Sequence, residues 1–173
     1  IGGNGHFIGS DLFITTNSEY TLQNDLVIRN LSINDGSKLK LSDKILDVYA
    51  IQQRGILDQG TGVLVIEGDA SNVLLTDSTF EENNGTTFFG NGEIWANAVD
   101  QVVPSVNYNH LWVRTTKDHV VLLGTDEDFS CKNLLFYNPG EPGGQASTQH
   151  AITVRGDFRL GIDSLPGTEL ILN

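Results

Sequence analysis

Asn30-Leu31-Ser32-Ile33-Asn34, then Leu46-Asp47-Val48, then Gly60-Thr61-Gly62-Val63-Leu64-Val65-Ile66-Glu67-Gly68: these runs decide how the chain folds. Each is short and apolar, and alternates with polar or small residues. Alternation at period two, with β-branched residues, marks strand, because successive side chains point to opposite faces of a pleated ribbon. The same pattern recurs in Leu39-Lys40-Leu41, Val73-Leu74-Leu75, Leu111-Trp112-Val113 and Ile152-Thr153-Val154. No stretch sustains a helical period. The chain is expected to be all-β.

Leu31, Leu39, Leu46, Ile56, Leu64 and Leu74 follow one another closely, as if each run lay on the next face of a coil. The Gly and Asn residues between them tolerate the left-handed backbone that sharp corners need. The expected architecture is a parallel β-helix, one solenoid segment over residues 1–173. Tandem β-sandwich domains are the alternative, with Asp35-Gly36, Asn84-Gly85 and Asn91-Gly92 as hairpin turns.

An internal repeat supports stacking. Gly3-Asn4-Gly5 lines up with Gly90-Asn91-Gly92, and Leu26 to Leu31 with Phe129 to Leu134. Leu46 to Ala50 lines up with Ile152 to Gly156, and Leu64 to Ile66 with Leu170 to Leu172. The offset only grows along the chain, as it does when a shared core tolerates inserted loops. The largest insertion runs from Ala96 to His110, a smaller one holds Asp126-Glu127-Asp128, and a third is Pro139 to Gly144. Copy 1 covers about residues 1–87 and copy 2 about residues 88–173. The second copy stops in mid-pattern at Asn173 and the chain starts at Ile1. A longer natural chain is therefore expected, with further coils or partners covering both ends.

The bulk properties narrow the partners. Net charge is −12, from 10 basic and 22 acidic residues, which disfavours nucleic acid and anionic lipid surfaces. No apolar run approaches the roughly 20 residues that insertion across a membrane requires. Cys131 is the sole cysteine, so no internal disulfide can form.

The strand patterns Asn30-Leu31-Ser32-Ile33-Asn34, Leu46-Asp47-Val48 and Gly60 to Gly68 resemble the repeats of large secreted and cell-surface proteins of the Bacteroidota. Asn133-Leu134-Leu135-Phe136, Ile152 to Asp157 and Gly167 to Leu172 repeat the resemblance. Pro166 and Glu169 depart mildly from it. The resemblance implies export by the type IX route, an extracellular or cell-surface location, and a stalk, filament or adhesin of gliding or predatory bacteria. It carries over no catalytic residue. Asp77-Ser78-Thr79 and Asp163-Ser164-Leu165 look like the O-glycosylation signal of the same bacteria, which makes Ser78 and Ser164 candidate glycosylated positions.

Candidate chemistry is sparse. Cys131 aligns with Ile28, so both are expected to point into the core, where a free Cys acts as a small hydrophobe. His6, His110, His119 and His150 lack zinc-ligand spacing and read as surface residues. Asp126, Glu127 and Asp128 lack the alternating acids and Gly of a calcium loop and read as a solvated turn. Gly3-x-Gly5 and Gly90-x-Gly92 open no helix that could bind phosphate. Asn30 and Asn133 are expected to turn the chain and share amide hydrogen bonds with neighbouring coils. Trp95 and Trp112 have the strand parity opposite to their core neighbours. They are candidate glycan-contacting residues, or else pack beneath the long insertion or a neighbouring chain. No catalytic residue, cofactor or metal site is expected. The favoured function is a structural or adhesive segment that contacts neighbouring repeats, other copies or a surface glycan. A carbohydrate-binding or glycan-degrading β-helix is the alternative.

Overall fold

The computed structural model describes residues 7–15, 17–69, 72–76, 79–90, 100–116, 119–124, 126–137, 145–160 and 169–172. The chain is a parallel β-solenoid of about six turns. One long sheet contains, in order of pairing, β1 (Phe7–Ile14), β3 (Leu26–Ile33), β5 (Ile45–Gln53), β7 (Val63–Ile66), β10 (Thr86–Phe89), β12 (Tyr108–Arg114), β14 (Phe129–Tyr137) and β16 (Ile152–Val154). β8 (Val73–Leu74) also pairs with β5, and β17 (Phe158–Leu160) with β14. A first side sheet stacks β2 (Glu19–Thr21), β4 (Lys38–Lys40), β6 (Ile56–Asp58) and β9 (Phe80–Glu81). A second stacks β11 (Gln101–Val103), β13 (Val120–Leu123), β15 (Gln145–Thr148) and β18 (Glu169–Leu172).

Every pairing among the described residues is parallel. The hairpins of a tandem sandwich are therefore absent there. Asp35-Gly36 instead turns the corner from β3 to β4, and Asn84-Gly85 the corner from β9 to β10. Asn91-Gly92 lies outside the described residues. Among the described residues, no helix is long and apolar enough to cross a membrane.

The long strands carry the coil around a bend. In β3 the buried side chains are Leu26 and Ile28, then Leu31 and Ile33; the inward parity slips between them. β5 repeats this with Leu46 and Val48, then Ile51 and Gln53, and β14 with Phe129 and Cys131, then Leu134 and Phe136. Asn30 and Asn133 stand at these slips. A ribbon that changes its inward parity without breaking must turn to a second face, so one strand lines two walls.

The inward columns make one continuous core. Leu26, Leu46, Leu64, Thr87, Leu111 and Leu134 stack in a single inward column along the long sheet, and Phe158, 47% exposed, is the next residue in register. Leu134 thus stands in the column of Leu26 rather than of Leu31. Ile28 and Cys131 are both 1% exposed and point inward as expected, but in different columns: Ile28 with Val48 and Ile66, Cys131 with Tyr108 and Val154. Rings of Phe80, Phe89 and Phe129 all meet Tyr108 edge-on, at 5.9, 6.4 and 5.9 Å. Each fully buried Leu, Ile or Phe contributes about 1.5–3 kcal/mol by leaving water.

Buried amides tie coil to coil. Gln53 donates to the Gly55 carbonyl at 2.8 Å and to Thr79 Oγ1 at 2.7 Å, and accepts from the Thr76 N–H at 2.8 Å. Gln59 donates to the Thr86 carbonyl at 2.7 Å. Without such partners each buried amide would be costly. The corner after the first side sheet needs left-handed backbone: Ser42, Gly60 and Asn83 have φ of 59°, 61° and 44°. The sequence from Ala96 to His110, expected as an insertion, contains β11 and the start of β12, so part of it is coil wall.

Candidate binding surface

The outward face of the long sheet carries two neighbouring columns. One runs Val65, Phe88, Trp112, Leu135 and Arg159; the other runs Thr86, His110 and Asn133. Around Trp112 the first is apolar until Arg159 and the second is hydrogen-bonding; farther back along the sheet the first reaches Asp47 beyond Val65, and the second continues as Val63 and Ile45 beyond Thr86. Both follow from strand alternation: Leu111 and Val113 fill the core, so His110 and Trp112 must face out.

Trp112 is 43% exposed. Phe88 meets its indole edge-on, with centroids 6.5 Å apart and planes at 72°. Beside it lies a shallow cleft of about 230 Å³ lined by His110, Trp112, Asn133, Leu135, Asp157 and Arg159. Leu134 also borders it.

Asn133 is held by coils on both sides. Its Oδ1 accepts the Asp157 N–H at 2.8 Å, which turns Nδ2 toward His110 Nδ1, also at 2.8 Å. Nδ1 must therefore accept, and the imidazole is the neutral tautomer with its proton on Nε2. Burial, with help from the Lys132 ammonium, pushes the His110 pKa below its ordinary value, which favours the same neutral form. Arg159 donates to Asp157 Oδ2 at 3.1 Å. The cleft thus holds an aromatic platform, a fixed amide, a neutral imidazole and an internally compensated ion pair. Asn30 similarly donates to Asp11 Oδ1 in the preceding coil. Both asparagines share amide hydrogen bonds across coils, as their sequence positions imply.

Trp95, Ser78 and Ser164 lie outside the described residues, as does His6. Burial pushes the Cys131 thiol up to about 11, the environment of a core residue and not of a nucleophile. Asp126, Glu127 and Asp128 are exposed; the first two N–H groups donate to Ser105 Oγ, and Asp128 Oδ1 accepts the Ala151 N–H at 2.9 Å. Among the described residues no group of three or more His, Cys, Asp or Glu could hold a metal ion. His119 Nδ1 lies 3.4 Å from Asp100 Oδ1, and the His150 N–H bonds Thr148 Oγ1 at 3.2 Å. On the first side sheet, Lys38 bridges Asp58 at 3.2 Å and Glu81 at 2.7 Å.

Sequence parity places Trp112 outward but does not mark His110, Asn133, Asp157 and Arg159 as its neighbours. The signal available was local: His110 and Asn133 share the parity of Trp112 and Leu135 in their own strands. No family model matches the chain, nor does any curated protein or solved structure.

Proposed function

We propose that this chain is a non-catalytic structural and adhesive segment of an extracellular surface protein, of the stalk, filament or adhesin type implied by the Bacteroidota resemblance. The observation that carries the proposal is the unbroken parallel stack of the long sheet, β1-β3-β5-β7-β10-β12-β14-β16. Parallel coils about 4.8 Å apart extend a rigid axis with strand backbones paired from coil to coil, which suits a spacer or a presenting surface. Fold alone does not assign function, so the surface chemistry matters. A glycosidase needs two carboxylates flanking an open space for the scissile bond. Asp58 and Glu81 are neighbours on an outward face, but the Lys38 ammonium fills the space between them.

The partners of such a segment are neighbouring repeats, other copies of the protein, or a surface glycan. The test is antibody labelling of intact cells that produce the protein. Labelling without permeabilisation is expected; labelling only after permeabilisation would overturn the extracellular assignment.

A further inference from the structure

We infer that the cleft around Trp112 binds a neutral glycan, with a pyranose ring stacked on the indole and its hydroxyls on His110, Asn133, Asp157 and Arg159. The inference deepens, and rests on, the adhesive part of the function proposed above. Three observations carry it together.

First, the indole is 43% exposed yet held edge-on by Phe88, so it presents a fixed apolar face. A rigid amphipathic ring suits the CH face of a sugar, because it loses little conformational entropy on binding. Second, the adjoining polar groups are positioned before any ligand arrives. Asn133 is clamped between His110 and Asp157, and the imidazole keeps its Nε2 proton as a donor. Donors, amide and carboxylate within one cleft of about 230 Å³ match a ligand rich in hydroxyls. Third, the charges that line the cleft compensate, although the Lys132 ammonium also acts on His110. Arg159 faces Asp157 and His110 is neutral, while the whole chain carries −12. An acidic polysaccharide would meet overall repulsion, and among the described residues that line the cleft the cation is Arg159, already paired with Asp157. Over the coils of β10, β12 and β14 the apolar residues Phe88, Trp112 and Leu135 run beside the polar residues Thr86, His110 and Asn133. A glycan spanning those coils can lay a ring face on the exposed indole and its hydroxyl edge on the polar side chains beside it.

The test is titration of the purified chain with neutral β-linked hexasaccharides of glucose, xylose, mannose and N-acetylglucosamine, read by calorimetry and indole fluorescence. At least one should bind. Trp112→Ala should weaken it roughly tenfold, the loss of one stacking contact. Asn133→Ala should weaken it about threefold or more. Phe13→Ala, at an outward residue of the same sheet that is 65% exposed, should leave binding unchanged. If Trp112→Ala lowers the melting temperature, Trp112→Phe should restore both fold and most of the affinity. Absence of binding to every probe, or equal binding by wild type and a folded Trp112→Ala variant, overturns the site. Tighter, salt-sensitive binding of oligogalacturonate overturns the neutral class. None of these failures touches the proposed non-catalytic rod. Release of new reducing ends from a bound probe would instead overturn the rod's non-catalytic character and leave the binding site standing.

Discussion

Single residues in this chain have properties set by which wall of the coil they occupy. Cys131 points inward, and its thiol is pushed up to about 11 by burial, against an opposing effect of Arg155. Since the thiolate is the nucleophile, iodoacetamide at about pH 8 should leave Cys131 unlabelled in the fold and label it after denaturation. Mass spectrometry reads the difference; rapid labelling of the native chain would contradict the placement. His110 points outward but is half-buried, and its pKa is lowered. An unfolded chain takes up a proton near about pH 6.5 while the folded chain resists it, so stability is present above that value and is lost as pH falls toward the folded pKa. Between about pH 7 and 5.5 the melting temperature should fall more steeply for wild type than for His110→Gln. Parallel slopes would show that His110 does not titrate differently on folding. Gly156 belongs to the same network: a Cβ there would sit 2.5 Å from Asn133 Oδ1 and 2.8 Å from the Lys132 carbonyl oxygen. Only glycine lets the Asp157 backbone reach Asn133 so closely.

At the scale of strands and corners, the same alternation separates core from surface. Phe89 and Trp112 lie in neighbouring strands, β10 and β12, but Phe89 is inward and Trp112 outward. Phe89→Ala should cost about 3–5 kcal/mol by opening a cavity, and Trp112→Ala under about 1 kcal/mol, as denaturant titration can measure. Similar losses from both would break the assignment of faces. At the corner, Gly60 combines φ of 61° with a would-be Cβ 2.6 Å from the Ser42 carbonyl oxygen. Gly60→Ala should therefore cost about 1–3 kcal/mol, again read by denaturant titration. Strands such as β7 and β16 were readable in sequence because Val63-Leu64-Val65-Ile66 and Ile152-Thr153-Val154 are β-branched and bounded by turn residues. β10 is not legible as a strand in sequence, because Thr86-Thr87-Phe88-Phe89 begins with two polar side chains and Thr87 is an inward position. β11 was hidden for a different reason. Gln101 is buried and donates to the Ile66 and Gly68 carbonyls, a partnership visible only once the coils are stacked.

For the molecule as a whole, register is what sequence periodicity could not supply. The Trp112 cleft draws His110, Asn133 and Asp157 from successive coils whose lengths differ, so no fixed spacing in the chain marks them as neighbours. The solenoid itself was readable because every coil must supply apolar residues to the shared interior. Its switch of bend was not: β3 and β5 continue without a break from the long-sheet wall onto the wall of β8, whereas β12 and β14 run onto the long-sheet wall. That shift follows from corner lengths, which are free to vary while the core columns remain aligned. The parallel stack and the Trp112 cleft are the basis of the proposed attachment role. The most direct measurement is attachment of producing cells to a polysaccharide-coated surface, compared between wild type, a deletion of the gene and the deletion complemented with the intact gene. Deletion should lower attachment, complementation should restore it, and growth on the same polysaccharide in suspension should be unchanged. Unaltered attachment together with lost growth on that polysaccharide would contradict a structural and adhesive role and point to a degradative one.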